Sequence, residues 1–325
     1  MSRHLDAQPR VSALVQTFGD GANAAQVASR LRVVPSLELI VNDDSGRDHG
    51  AWLAALRGGS HTVLSLPNVH EIRAYNRMAR LARGEFLLML QGDFCMPSPV
   101  GASAPWLERA LSLFERHPNL GMVGGLMGFD QVPLRRVAEN ISWGTAPCAP
   151  IPTQSVSQSV ASQSVASRTA AAGGGRGDAN SDAIPFRFVA GVNIGPLLVR
   201  RSAFLRAGGF DEAFSCAGEP GIQLDLELSL QLWRLGYEVG VTYSAVSNGV
   251  GGRKTRTNRA QKRARNQNDA INGARCARLL RTHDAQAVAA ANARLSQIER
   301  PFEVRARTLR ELGHRPPSQC AGTGR

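Results

Sequence analysis

No run of about eighteen apolar residues occurs among the 325 positions, the longest being stretches such as Phe86 to Leu90, so no membrane-spanning helix is expected. The opening MSRHLDAQPR has no apolar core of a secretory signal, and the chain, taken as complete, is expected in the cytoplasm. Only 5 cysteines are present (Cys95, Cys148, Cys216, Cys276 and Cys320), with no C-x-x-C pair, which argues against a disulfide framework or a structural zinc and predicts free thiols. Aromatic residues make up 6% of the chain and are scarce beside its basic run, so a stacking platform for single-stranded nucleic acid is not expected. What is present is ample apolar material: 43% hydrophobic against 20% charged residues gives enough core for one large α/β domain and excludes global disorder.

The net charge of +12 is unevenly spread. Residues 1–252 hold 21 basic and 21 acidic side chains, whereas 253–325 hold 17 and 5. A neutral body with a basic tail points to a local anion site or a surface anchor rather than to nucleic acid, and an anionic membrane surface is an expected partner of 253–281.

From Val11 short apolar runs alternate with amphipathic stretches, the pattern of a layered α/β domain with a largely parallel sheet. Strands are predicted at Val11–Thr17, Leu37–Asn42, His61–Leu66, Glu85–Leu90, Gly121–Gly125, Gly195–Val199 and Glu238–Tyr243. Helices are predicted at Gly21–Leu31, Gly50–Leu56, Glu71–Ala82, Ala104–His117, Arg201–Ala207 and Ile222–Leu235. Residues 151–182 break the pattern with recurring Gln-Ser-Val and an Ala/Gly tract, and are expected to form a disordered insertion in a surface loop. The segment 253–281 contains good helix formers but a weak apolar stripe (Ala264, Ile271, Cys276, Leu279, Leu280), so it is expected to pack lightly on the body. A further helix is expected over Ala285–Ile298. The organisation is therefore an extension (1–10), a domain over 11–252 with the insertion at 151–182, and a basic helical tail (253–325).

In an open parallel sheet ligands sit outside the carboxyl ends of the strands. The first strand ends in Gln16-Thr17-Phe18 and the second in Asn42-Asp43-Asp44-Ser45. Phe18, Asp43, Asp44 and Ser45 are the residue types that a base and ribose require, although Asp44 and Ser45 are equally favoured caps of a following helix. Arg73 and Asn76 lie three apart on one helical face that suits a ribose hydroxyl or a diphosphate, or belongs to a solvated basic face. Asp93, after the strand ending at Gln91, stands where a magnesium or manganese ion bridging a diphosphate needs an oxygen ligand; it is equally an ordinary turn residue. Asp225 and Glu227 are two apart and diverge on a helix, so only one can point into the crevice.

The order of these motifs (VSALVQTF, IVNDDS, the Asn68 to Asn76 block, ARGEFLLMLQGD, GGFDE and LDLELSLQLWRLGYEVG) resembles the family-2 inverting glycosyltransferases of the GT-A fold, from Val11 to about Gly251. The resemblance implies a GT-A-type, Rossmann-like, mostly parallel sheet flanked by helices. It implies a nucleotide-diphosphate-sugar donor, a divalent metal (Mn2+ or Mg2+) on Asp93, and a nucleotide pocket lined by Thr17, Phe18 and the Asp43 to Ser45 turn. It makes Asp225 the general base toward an acceptor hydroxyl of a glycan, lipid or protein. Gln91 replaces the first acid of the family's Asp-x-Asp and is expected beside the nucleotide. Leu224 replaces the acid before Asp225, with Glu219 as its substitute, and Asn248 stands where a histidine is often found. The signature of processive relatives is absent, which implies single transfers, with Arg253, Lys254 or Arg256 closing over the diphosphate. The alternatives are a catalytically inactive nucleotide-sugar binder and a nucleotidyltransferase-like enzyme, the latter lacking its basic Gly-rich loop at Gly19-Asp20-Gly21-Ala22.

Overall fold

Neighbouring residues along the central strands enter different cores, which places one sheet between two helical layers. The computed structural model describes residues 8–19, 21–57, 61–96, 104–125, 127–130, 135–139, 186–242, 246–248 and 259–296; the expected insertion at 151–182 and Arg253, Lys254 and Arg256 lie outside them. The first half comprises β1 (Val11–Thr17), α1 (Ala24–Leu31), β2 (Leu37–Asp43), α2 (His49–Ala55), β3 (His61–Ser65), α3 (His70–Leu81), β4 (Phe86–Gln91), β5 (Phe94–Cys95) and α4 (Pro105–Arg116). Then come β6 (Leu120–Gly124), β7 (Met127–Asp130), β8 (Arg135–Glu139), β9 (Phe186–Phe188), β10 (Gly191–Val192), β11 (Leu197–Arg200) and α5 (Arg201–Arg206). The chain continues through α6 (Leu224–Arg234), β12 (Glu238–Thr242), β13 (Ser247–Asn248), α7 (Arg259–Arg281) and α8 (Ala285–Ala293).

The main sheet runs β3-β2-β1-β4-β11-β6-β12-β9. β1 pairs in parallel with both β2 and β4, and β2 with β3, while β12 runs parallel to β6. β11 is antiparallel to β4 and β6, and β9 to β12, so the sheet is mostly parallel with two reversed strands. Every residue of β1 is buried, as a parallel strand covered on both faces requires. Ala13, Val15, Val41, Leu88 and Leu90 pack with α1, α2, α4 and α8 on one side. Leu14, Ile40, Leu87, Met89 and Val199 pack with α3, α5, α6 and α7 on the other. The α3 stripe of Ile72, Tyr75, Met78 and Ala79 shows the spacing that makes this possible. The strands β5, β7, β8, β9, β10 and β13 are not read from the sequence: β5, β9, β10 and β13 have only two or three residues, and β7 (MGFD) and β8 (RRVAE) lack an apolar run.

The tail is bound more tightly than its apolar stripe predicts. Asn272 on α7 is 1% exposed and donates to the carbonyls of Phe214 at 2.7 Å and Ile222 at 2.9 Å. Asn268, one turn earlier, donates to Pro220 O at 3.1 Å, and Gln223 donates to Asp269 at 3.1 Å. Cys276 and Leu280 enter the core, whereas Ile271 of the expected apolar edge is exposed. On α8, Asn292 donates to Phe188 O and accepts from Phe188 N, each at 2.9 Å, so it pairs like a strand residue along the edge of β9. The contact is made by amides, which a count of apolar residues does not register. The described tail is therefore part of the same body, α7 in one helical layer and α8 in the other. Cys216 and Cys276 are free as expected, but Cys95 is disulfide-bonded, a pairing that sequence spacing does not reveal.

Asn272→Ala leaves two backbone carbonyls without their partner, at about 1–3 kcal/mol for a buried unsatisfied group. Thermal unfolding of this variant is expected several degrees below the parent, whereas Ile271→Ala, on the exposed side of the same helix, leaves the melting temperature nearly unchanged.

Candidate functional site

β2 and β3 lie to one side of β1 and β4 to the other, so the carboxyl ends of β1 and β4 form the point at which the strand order reverses. In open α/β sheets this is where a crevice opens. The register aligns Thr17 with Asp43 and Gln16 with Gln91, so these residues share one edge. Gly92 N donates to Gln16 O at 2.7 Å, and a Cβ on Gly92 would lie 2.6 Å from Thr17 Oγ1; only glycine lets the chain turn so closely over β1. Thr17 is buried, and its hydroxyl has no hydrogen-bond partner among the described residues.

Asp93 follows this turn, half-buried. Burial raises its carboxyl above the usual range, only partly offset by its own backbone N–H, and among the described residues no cation contributes to lowering it. Phe94 then enters the core, and a Cβ on Gly195 would lie 2.6 Å from its ring, so the turn Asn193–Gly195 packs against the segment that carries Asp93. The same turn holds Asp225 from the other side: Ile194 N donates to Asp225 Oδ2 at 2.7 Å and Asn193 Nδ2 at 3.2 Å. Leu226 N donates to Oδ1 at 2.9 Å. Burial raises the Asp225 carboxyl, and these donors offset part of the rise. One turn of chain thus joins the two carboxylates on which the expected chemistry rests.

Asp225 and Glu227 diverge as helical spacing requires. Glu227 is also buried and raised chiefly by burial, but its neighbours are Gln231, Asp211, Arg234 and Arg275. Gln223, in a left-handed conformation (φ 68°), starts α6 at Leu224, two residues later than expected. Cys276 of α7 lies close enough to feel both acids, and burial, reinforced by their charge, pushes its thiol up to about 12. It is therefore inert as a nucleophile at neutral pH. Glu219 lies in the preceding turn and accepts from Asn268 Nδ2 at 3.3 Å.

Several residues expected at the nucleotide also hold the fold together. Asp43 Oδ1 accepts from Ser45 N, Ser45 Oγ and Gly46 N, and Oδ2 from Asp48 N at 2.9 Å. Three donors converge on Oδ1 and one on Oδ2, so Asp43 shapes its own turn while Oδ2 keeps room for a further donor. Ser45 is part of that turn, its hydroxyl also accepting from Arg47 N. Asp44 accepts from the N–H groups of Val69 and His70 and so caps α3; the cap reading is correct in kind, but the helix is not the next one. Asn76 donates to Phe210 O at 2.8 Å and accepts from Phe210 N at 2.9 Å, and Arg73 donates to the carbonyls of Ser215 and Glu212. Both fasten α3 to the loop after α5. Thr17, Gln91 and Asp93 stand at the strand ends, with Phe18 half-buried beside them. Asn248 pairs through its backbone with Phe94.

Asn193 and Ile194 were not legible as site residues. Their partner lies some thirty positions away, and an Asn before Ile-Gly-Pro carries only a turn signal. His70 is a second omission: buried, in a left-handed conformation (φ 63°), it bonds Glu71 through Nδ1, while Nε2 has no partner among the described residues. Among the described residues no group of three His, Cys, Asp or Glu side chains gathers around one point. The small void bounded by Leu88, Trp106, Ala110, Val123, Pro196 and Leu198 has no ionisable side chain in its lining.

No protein-family model matches the chain, and no curated protein matches it. Among solved structures, the chain is similar to Staphylococcus aureus TarS 1–349 at 12% identity and a TM-score of 0.43, covering 74% of this chain and 60% of that one. The same fragment in complex with UDP gives 13% identity, the same TM-score of 0.43 and the same coverage of 74% and 60%. For S. aureus TarS the values are 13% and 0.43, with 74% of this chain aligned to 37% of that one. This chain thus spans 60% of the length of the TarS fragment.

The structural assignment of Asn76 is open to a direct check. Asn76→Ala removes two buried hydrogen bonds and is expected to cost about 1–3 kcal/mol, read as a loss of thermal stability in the protein alone. A variant with unchanged stability would return Asn76 to the ligand pocket.

Proposed function

We propose that the chain is a glycosyltransferase that moves a sugar from a nucleotide-diphosphate donor to an acceptor hydroxyl, with inversion and in single transfers. The observation that carries this reading is the pair of burial-raised carboxylates, Asp93 and Asp225, on two sides of one turn at the switch point of the sheet. Perturbed acids gathered at such a point are where a catalytic site is expected. The order of sequence motifs supports the same reading, and the unpartnered Thr17 hydroxyl supports a polar ligand at the end of β1.

Asp93 fits a divalent metal as the single protein ligand. It supplies one hard oxygen donor, and among the described residues no cation offsets its raised carboxyl, so a bound cation would relieve the cost of its burial. With one carboxylate, the donor's phosphates and water would complete the shell. Held by Asp93, such an ion would supply charge neutralisation for the departing diphosphate. Asp225 takes the proton from the acceptor hydroxyl as that oxygen bonds to the anomeric carbon and the bond to the diphosphate breaks. Asn193 and Ile194 N–H orient the carboxylate through Oδ2. General-base catalysis contributes about 10²- to 10⁴-fold.

A second reading, a nucleotide-sugar binder without turnover, draws on the same residue: Asp225 is buried with three donors already aimed at it. Turnover separates the two. A thermal-shift panel of nucleotide sugars, with and without manganese, identifies the donor, because a ligand that binds the native state raises its apparent stability. With that donor, Asp225→Asn is expected to lower transfer by about 10²-fold or more while donor binding persists, and Glu227→Gln to be mild by comparison. Binding of the donor without any transfer by the parent chain would favour the second reading.

The pH profile follows from the same burial. A base must be ionised, so kcat/KM falls as pH drops through its pKa. Because burial holds Asp225 above the usual carboxylate range, the acid limb is expected at a higher pH than an exposed aspartate would give. Asp93→Asn is expected to abolish the manganese dependence of donor binding and leave the melting temperature nearly unchanged.

A further inference from the structure

α3, α5, α6 and α7 form one layer over the same sheet face, because their inward side chains share a single core. The outward side of that layer is unusual in two respects. Four large apolar side chains are exposed among the described residues, and three of them belong here: Leu81 (52%) on α3, Leu205 (42%) on α5 and Ile271 (57%) on α7. The same three helices also carry exposed cations: Arg77 and Arg80 on α3, Arg206 on α5, and Arg263, Arg278 and Arg281 on α7.

Helix geometry organises this surface along α7. Arg263 and Arg281 are separated by about five full turns and therefore lie on one line roughly 27 Å long. Asn272, which anchors the helix to the body, lies about 180° from that line, so the anchoring and basic faces are opposed. Ile271 and Arg278 lie together about 60–80° to one side of the line, still on the outward half, and Asp269 is the lone acid in this helix. The helix is thus held by amides on one side and presents cations with a branched apolar side chain on the other.

We propose that this layer docks on an anionic lipid surface, with the arginines at the headgroups and Leu81, Leu205 and Ile271 entering the boundary of the acyl region. Cations engage acidic headgroups, and apolar side chains among them add insertion, which is how interfacial helices bind. Nucleic acid would use the cations but leave the three aliphatic side chains in water; its bases stack on aromatic side chains, and none of the exposed large apolar residues here is aromatic. The inference is independent of the transferase reading, since its test uses no nucleotide sugar.

The test is co-sedimentation of the full chain with vesicles of phosphatidylcholine, with and without phosphatidylserine, at about 0.1 M salt. Binding is expected to require phosphatidylserine and to weaken with salt. Each cation at a bilayer surface contributes about fivefold in partitioning, so Arg263→Ser/Arg278→Ser/Arg281→Ser is expected to bind roughly 10²-fold more weakly at an unchanged melting temperature. Ile271→Ser is expected to weaken vesicle binding several-fold. Should the α7 variant fold poorly, Arg77→Ser/Arg80→Ser tests the same surface from α3, with the same direction expected. Equal binding to neutral vesicles, no binding to acidic ones, or binding unaffected by these substitutions would overturn the proposal. So would tighter binding to a DNA oligonucleotide at the same salt that is indifferent to Ile271→Ser.

Discussion

The pairing of β1 with β2 on one side and β4 on the other is the constraint on which the site depends. It brings two strand ends from distant parts of the chain to one edge and obliges the chain after β4 to cross close over Thr17. Gly92 permits that crossing, since a side chain there would meet Thr17 within 2.6 Å. The position of Asp93 follows from the crossing, and the packing of the Asn193–Gly195 turn against Phe94 carries the constraint on to Asp225. Two acids more than a hundred residues apart are thereby held about a single turn, in surroundings that raise both.

The central strands and helices were legible because burial on a parallel sheet leaves continuous apolar runs, and because α3 and α4 keep a clear helical stripe. The predicted span of the first strand, Val11–Thr17, is that of β1. Reversal of β11 and β9 was not legible, since an apolar run of four or five residues reads the same in either direction. The site was legible in outline and less so in detail. Which strand ends meet can be inferred from topology, but whether Asp43 faces a ligand or its own turn depends on backbone N–H groups two to five residues away. Asn76 and Arg73 share a face as the spacing requires, yet that face meets the loop after α5. The holding of Asp225 by Asn193 is a contact between segments with no local signal.

The tail shows a different limit of pattern reading. A helix with a weak apolar stripe was expected to lie loosely on the body, but asparagines at Asn268, Asn272 and Asn292 supply the docking through backbone carbonyls. A buried amide bonded on both sides is worth little net but is costly to leave unmatched, so such contacts fix register more than they add stability. Here Asn268 and Asn272 fix the segment 214–222, which carries Glu219 and leads into α6 and Asp225, and Asn292 fixes the edge of β9 at Phe188. Among the described arginines of α7, Arg263, Arg278 and Arg281 are exposed, whereas Arg275 donates to Ala213 O on the body.

The most direct test of the account is where a nucleoside diphosphate with manganese protects the chain from amide hydrogen exchange. Protection concentrated at residues 17–19, 91–96 and 193–195, the segments that meet at the switch point, is the predicted result. Protection confined to other parts of the chain, with these three segments exchanging as in the free protein, would contradict the site.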